Sequence, residues 1–570
     1  MYRKRIALLC GIVFSTTASL VLAQNAPSAS APLPLKHRPQ PTVAAITPGD
    51  LMTRLYIFAD DSMEGRETGT RGHLKSTAYI ANELRRLGLK PAGDSGTYFQ
   101  NVPMIRRAFD EKSTITVGQT TLHGGTDFIA TVATGAVPSV GPLDVVFGGQ
   151  AGDTAAALTP EQTRGKLLLQ FPSQRGAGRG GFAGGRGGRG GGAAATATIE
   201  EITPQALQLA THPREGAVTL KTPPAGSAPG FLTLVVTPTA ARTLLGADPA
   251  SATRGQSGQT VTLNLVFDEE WAPARNVVAI IPGSDPKLKG EYVALGAHND
   301  HIGYSTTGPV DHDSLHVARQ AQFAINGLVR RGQQPSVEQQ AQLGSVHIDF
   351  DSLRRAHPTR LDSIRNGADD DGSGSVTLLE VAEAFARTSA KPKRSLLFVW
   401  HTGEEKGLLG SRWVTDHLPV PTDSIVAQLN MDMVGRGSAA DIPGGSESYL
   451  QLVGSRRLST ELGDIVEQVN KTEKMPFTFD YQFDANGDPE NIYCRSDHYN
   501  YARLGIPVVF FTTGLHGDYH QVTDEPQYID YPHMARVGQL VHDVALSVAN
   551  LNHRPVVDHP KPDPTARCQQ

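Results

Sequence analysis

Residues Glu291–Asp300 read EYVALGAHND, a short apolar run that stops on a His and an Asp two positions apart, His298 and Asp300. The pattern returns along the second half of the chain. SLLFVW precedes TGEEKGLLGS with Glu404 and Glu405, SIVAQLNM leads into NMDMVG with Asp432, and GIPVVFF precedes YHQVTDEP with His520 by a longer loop. Short apolar, β-branched runs separated by helical patterns read as buried strands of a mainly parallel sheet. Open α/β sheets carry their sites beyond the carboxyl ends of such strands. A fifth segment, GADDDGSG, places Asp370 in a loop that opens a helix, with Val376, Leu379, Val381 and Phe385 as the helix's apolar face.

His298, Asp370, Glu405, Asp432 and His520 supply two imidazoles and three carboxylates. One carboxylate bridging two cations would leave two open sites suited to a borderline metal such as zinc. Glu404 then remains free as a base, which points to a hydrolase with two metals. Each segment alone has a plainer meaning. A lone EE pair is usually a solvated helix face, a lone His a surface or structural residue, and DDDGSG a turn or helix start. Their joint occurrence at strand ends and loops favours the metal reading.

In this order, and joined by GRETGTRG (65–72), NVVAIIPGSDP (276–286) and SDHYNYARLGIP (496–507), the segments resemble the zinc aminopeptidase family that includes bacterial leucyl aminopeptidases, glutamate carboxypeptidase II, glutaminyl cyclase and the transferrin receptor. The resemblance runs from about Ile46 to Asn550 apart from two insertions. Asn299 departs from it, standing where an aromatic residue is common. The resemblance implies an α/β fold: a mixed, mainly parallel sheet flanked by helices, with an inserted β-rich domain of protease-associated type. It implies two zinc ions per chain. His298 and Asp432 would hold one, Glu405 and His520 the other, and Asp370 would bridge them. Asp300 would accept a hydrogen bond from His298 and orient it. Glu404 would act as general base on a metal-bridging water. The implied activity is removal of N-terminal residues from peptides. A carboxypeptidase on the same centre is the alternative, and it needs an arginine to grip a free carboxylate that the sequence alone does not place. A receptor-like, non-enzymatic protein is a further alternative.

One rival belongs to the loop itself. Asp369, Asp371, Ser373, Gly374 and Glu380 fit the spacing of an EF-hand calcium loop over 369–380. Against it, the helical pattern from Ser373 runs straight through Glu380, and no second copy occurs.

The rest of the chain sets the context. The 570 residues leave room for two or three domains, and a net charge of −5 implies no nucleic-acid partner. Arg3, Lys4 and Arg5 precede an apolar run that ends in Val21-Leu22-Ala23, so 1–23 reads as a signal peptide and the mature chain as exported, periplasmic or secreted, with no membrane segment. Residues 24–45 form an Ala/Pro-rich linker, 46–101 the N-terminal part of the catalytic domain and 102–266 the β-rich insert. Within that insert, the Gly/Arg-rich run 175–192 reads as a surface loop rather than an RNA contact. Residues 267–552 are the metal-binding domain, interrupted by a helical insertion over 304–366, and 553–570 a tail. Outside the signal only Cys494 and Cys568 remain, and the loose reading of the tail leaves their pairing open. Peptides are the expected partners; the oligomeric state is not legible.

Overall fold

The computed structural model describes residues 33–570 apart from 133–140, 154–156, 174–192, 223–231, 331–349, 565–567 and the single positions 357, 390, 440, 443 and 569. The leader over 1–23 and the Gly/Arg-rich run 175–192 therefore lie outside the described residues.

The apolar runs that end on the site segments are strands of one nine-stranded sheet. Its centre is four parallel strands in the order Ser395–His401, Tyr292–His298, Ile425–Met431 and Val508–Thr512. Antiparallel neighbours, Arg275–Ile281 and Tyr449–Val453, flank them. Side chains alternate between the two faces, as a pleated strand requires. Val293, Leu295 and Ala297 join one apolar cluster while Ala294 joins the other; Leu396, Phe398 and Trp400 alternate in the same way with Leu397 and Val399. Both faces are buried, which is why these strands read as unbroken apolar runs.

Helices cover one face. Pro48–Phe58, Arg71–Leu87, Gly374–Arg387 and Tyr531–Asn550 contribute Leu55, Ile80, Leu379 and Val541 to its cluster. Arg71–Leu87 starts on the hydroxyl of Thr70, which accepts from the His73 amide, and stops at Gly88 with φ 74°. The shorter helices Leu409–Asp416 and His498–Ala502 lie on the opposite side, with Val414, Tyr501 and Ala502 in the second cluster. A separate eight-stranded sheet, with strands between Thr114 and Asn264, has its own core around Phe128, Val145, Leu169, Leu234 and Val261.

One buried ion network ties the helices together. Arg54, 1% exposed, contacts Glu380, Glu383 (2.5 Å) and Glu83 (2.7 Å). Removing the cation leaves two fully buried carboxylates without it. Arg54→Ala is therefore expected to cost about 3–5 kcal/mol, read as a lower midpoint in denaturant.

The C-terminal tail, read from sequence as loose, is docked. Cys494 and Cys568 form a disulfide. Gln570 accepts from the Tyr493 amide at 3.0 Å and donates to the Ala485 carbonyl at 3.0 Å.

Candidate metal centre

Register brings the site segments to one edge of the sheet. His298 pairs with His401, Gly296 with Asn430, and Met431 with Phe511. The residues that follow these positions, Glu404, Glu405 and Asp432, thus emerge beside His298. Asp370 arrives from the loop that opens helix Gly374–Arg387. Only glycine fits at 374, since a Cβ would meet Asp371 Oδ1 at 2.3 Å and the Met431 carbonyl at 2.4 Å.

The Asp370 carboxylate divides its oxygens. Oδ1 lies 3.2 Å from His298 Nε2, which is also 3.6 Å from Asp432 Oδ1. Oδ2 lies 2.9 Å from His520 Nε2, itself 3.2 Å from Glu405 Oε2. Two donor groups, His298/Asp432 and His520/Glu405, therefore share Asp370. All five residues expected from sequence converge, together with Glu404, whose Oε2 is 4.0 Å from His298 Nε2.

One residue escaped the sequence reading. His301, fully buried, sets Nδ1 2.8 Å from Glu405 Oε1 and 3.8 Å from Asp370 Oδ2. It follows Asp300 directly in GAHNDHIG, so the second histidine of that motif was the available signal.

Asp300 departs from its expected part. His298 Nδ1 faces the Asp300 backbone carbonyl at 3.1 Å, with the carboxylate farther away at 3.8 Å. The carboxylate is engaged elsewhere: Oδ2 accepts from the Thr68 hydroxyl at 2.9 Å and Oδ1 from the Glu404 amide at 3.2 Å. The Asp300 side chain thus positions the Glu404 backbone, and its main chain orients the imidazole.

The neighbours of Asp370 build the loop rather than a calcium site. Asp371 accepts from the amides of Gly374 (2.8 Å), His298 (3.0 Å) and Met433 (3.2 Å). Asp369 accepts from Gly435 N at 2.7 Å, and Glu380 turns to Arg54. The EF-hand reading of 369–380 is thereby corrected: Asp369, Asp371 and Glu380 face three different partners. Asp524 accepts from the amides of both Asp369 and Asp370, at 3.0 and 3.1 Å, and so fixes where the Asp370 side chain starts.

Burial dominates the electrostatics. It pushes Glu404 well above the usual carboxylate range, against the pull of His298 and with the help of Glu405 and Asp432. Burial also works to raise Asp370, yet hydrogen bonds from His298 and His520 hold it well below that range. A low-dielectric pocket with three converging carboxylates and imidazole nitrogens is the donor chemistry of a zinc-type site, so the residues fit such a metal.

Beside this centre lies a pocket walled by Phe483, Ile492, Phe510, Leu515 and Tyr519. Arg495 also lines it, an arginine the sequence alone did not place. Its Nη2 donates to Tyr519 Oη at 3.2 Å and its Nη1 to Glu490 Oε2 at 3.4 Å.

Residues 329–545 match the family model described as peptidase family M28. Asp370, Glu404, Glu405, Asp432 and His520 fall inside that stretch; His298, Asp300 and His301 precede it, across the helical insertion. Among curated relatives, leucine aminopeptidase 1 of Trichophyton rubrum is 29% identical over 187 residues, covering 31% of this chain and 46% of its own length. Leupeptin-inactivating enzyme 1 of Streptomyces exfoliatus is 29% identical over 197 residues, covering 34% of this chain and 40% of its own length. The matched part thus spans less than half the length of these relatives. Among solved structures, an aminopeptidase from Aneurinibacillus sp. strain AM-1 aligns over 90% of this chain and 97% of its own, at 16% identity and a TM-score of 0.46. A zinc aminopeptidase from Bacillus subtilis aligns over 88% and 95%, at 17% identity and a TM-score of 0.45. Over residues 329–545, this chain carries a peptidase family M28 domain.

Proposed function

We propose that the chain is an exported aminopeptidase that works with two zinc ions and removes N-terminal residues with apolar side chains from peptides. The observation that carries this reading is the split of the Asp370 carboxylate between the His298/Asp432 and His520/Glu405 groups. His298 and Asp432 would hold one ion, Glu405 and His520 the other, and Asp370 would bridge. When bound, the ions would lower the pKa of water and polarise the scissile carbonyl.

The chain's own residues supply the rest. Glu404 is near the centre without belonging to either donor group, its Oε2 4.0 Å from His298 Nε2, and that position suits it to take a proton and return it to the leaving amine. Asp300, through the Glu404 amide, fixes where that base begins. His301 braces Glu405 on the carboxylate oxygen that His520 does not face. The walls of Phe483, Ile492, Phe510 and Leu515 favour an apolar side chain on the residue to be released.

Export is supported by the basic, apolar and small-residue order of 1–23 and by the Cys494–Cys568 disulfide, a bond of oxidising compartments. Among the described residues no helix is long and apolar enough to cross a membrane.

Arg495 supports a second reading, a carboxypeptidase whose substrate carboxylate it would bind. Tyr519 and Glu490 already engage this guanidinium, so less of its charge is offered to a ligand. The two readings part on which end of the substrate must be free. We expect turnover of leucyl anilide, a loss of about a hundredfold in kcat/KM on N-acetylation, and little change when a peptide's C-terminus is amidated. Tolerance of the acetyl cap together with dependence on a free carboxylate would establish the carboxypeptidase instead.

A further inference from the structure

The helical insertion brings a second group of metal-type donors together, sharing no residue with the Asp370 centre. Residues Val310–Asp311 and Leu361–Asp362 pair as a two-residue antiparallel ribbon, Val310 opposite Asp362. His312 follows the first ribbon strand and starts helix His312–Arg330. Glu525 comes from the loop that also carries His520 and Asp524. A ring nitrogen of His312 and carboxylate oxygens of Asp362 and Glu525 all lie within 4.8 Å of one another.

We propose that His312, Asp362 and Glu525 form a third divalent-cation site, one that takes zinc and fastens the 304–366 insertion to the loop beside the catalytic centre.

The imidazole is placed as a ligand. His312 is fully buried and stacks on Tyr528 at 5.9 Å between ring centroids. Its Nδ1 lies 3.0 Å from Asp313 Oδ1, and Arg360 reaches the same edge and Asp313. Its Nε2 is buried with no hydrogen-bond partner. Arg360 can only donate, so at Nδ1 it competes with the proton that Asp313 would accept. With Arg360 turned to Asp313 alone, Nδ1–H points to Asp313 and the lone pair falls on Nε2, the carboxylate–histidine–metal order that fixes tautomer and ring orientation. Burial first, then Arg360, pushes the imidazole down to about 4, so the ring is neutral at pH 7.

The carboxylates are also held. Asn366 donates to Glu525 Oε1 at 3.0 Å and to Asp61 Oδ1 at 2.7 Å, and Asp362 Oδ1 accepts from the Ile364 amide at 2.9 Å. One imidazole with two carboxylates selects a borderline first-row ion over calcium, which prefers an all-oxygen shell.

The position gives the site a purpose. Asp524, the neighbour of Glu525, accepts from the Asp369 and Asp370 amides. Four residues beyond His312, His316 Nδ1 lies 2.9 Å from Asp518 Oδ1, and Gln320 donates to Asp518 Oδ2 at 2.8 Å. A cation between His312, Asp362 and Glu525 would pin the insertion against both flanks of the loop that delivers His520.

The test is zinc per chain by mass spectrometry on the full-length protein after dialysis against a weak chelator. His312→Gln and Asp362→Asn are each expected to carry one zinc fewer than wild type. Asp370→Ala, which targets the other centre, is expected to keep one zinc that adding His312→Gln removes. Because the readout is a difference at a site sharing no ligand with Asp370, it stands apart from the number of ions in the catalytic centre and from activity. Asp362 is only half-buried, so its isosteric change tests the site even if the His312 variant does not fold. Equal zinc in wild type and Asp362→Asn would overturn the proposal.

Discussion

Replacing Asp370 by alanine is expected to remove metal and to lower turnover by roughly four orders of magnitude or more, because groups that act as a unit fail together. The geometry explains the size of the effect. Asp370 Oδ1 is 3.2 Å from His298 Nε2 and Oδ2 is 2.9 Å from His520 Nε2, so one carboxylate serves both donor groups. Without it, two cations would face each other with no shared anion between them. Asp369 and Asp371 keep their backbone partners in this variant, so the loop should retain its shape. Metal content and leucyl anilide turnover, measured on a variant whose thermal unfolding matches wild type, check the expectation. Full zinc and full turnover in Asp370→Ala would remove the bridge from the mechanism.

Glu404→Gln should separate chemistry from metal binding. The amide keeps the shape of the carboxylate and loses its basicity. A fall of about two to four orders of magnitude in kcat is expected, the usual worth of a general base, with zinc content unchanged. The KM should move little, since Glu404 lines the same pocket but the apolar contacts to the substrate side chain come from Phe483, Ile492, Phe510 and Leu515. Zinc loss would instead make Glu404 a ligand, and retention of more than about a tenth of turnover would rule it out as the base.

The sheet was legible because its four central strands are buried on both faces. Their side chains alternate between two apolar clusters, which leaves unbroken apolar runs in the sequence. The carboxyl ends of those runs mark where side chains must emerge, so His298, Glu404, Glu405 and Asp432 could be picked out without knowing the strand order. GADDDGSG was ambiguous for a physical reason. Three consecutive aspartates satisfy a calcium-loop spacing, and only the backbone amides of Gly374, Met433 and Gly435 show that Asp371 and Asp369 are structural acceptors. His301 was passed over because its role depends on where Glu405 points, a relation set by packing across the sheet edge. Asp300 does face His298 Nδ1, but with its backbone carbonyl rather than its carboxylate, and the sequence could not show this because Thr68, far away in the chain, claims one of the carboxylate oxygens. The tail was misread because its anchor, Cys494 with Cys568, spans 74 residues and leaves no local pattern.

Metal dependence of peptide hydrolysis tests the central claim most directly. Purified full-length protein, stripped of metal by a strong chelator and then exchanged into metal-free buffer, should hydrolyse leucyl anilide at a rate indistinguishable from the uncatalysed reaction. Stepwise return of zinc should restore turnover, and the same titration of Glu404→Gln should restore zinc content without it. Undiminished hydrolysis by protein shown to be free of metal would contradict a metal centre built on His298, Asp370, Glu405, Asp432 and His520.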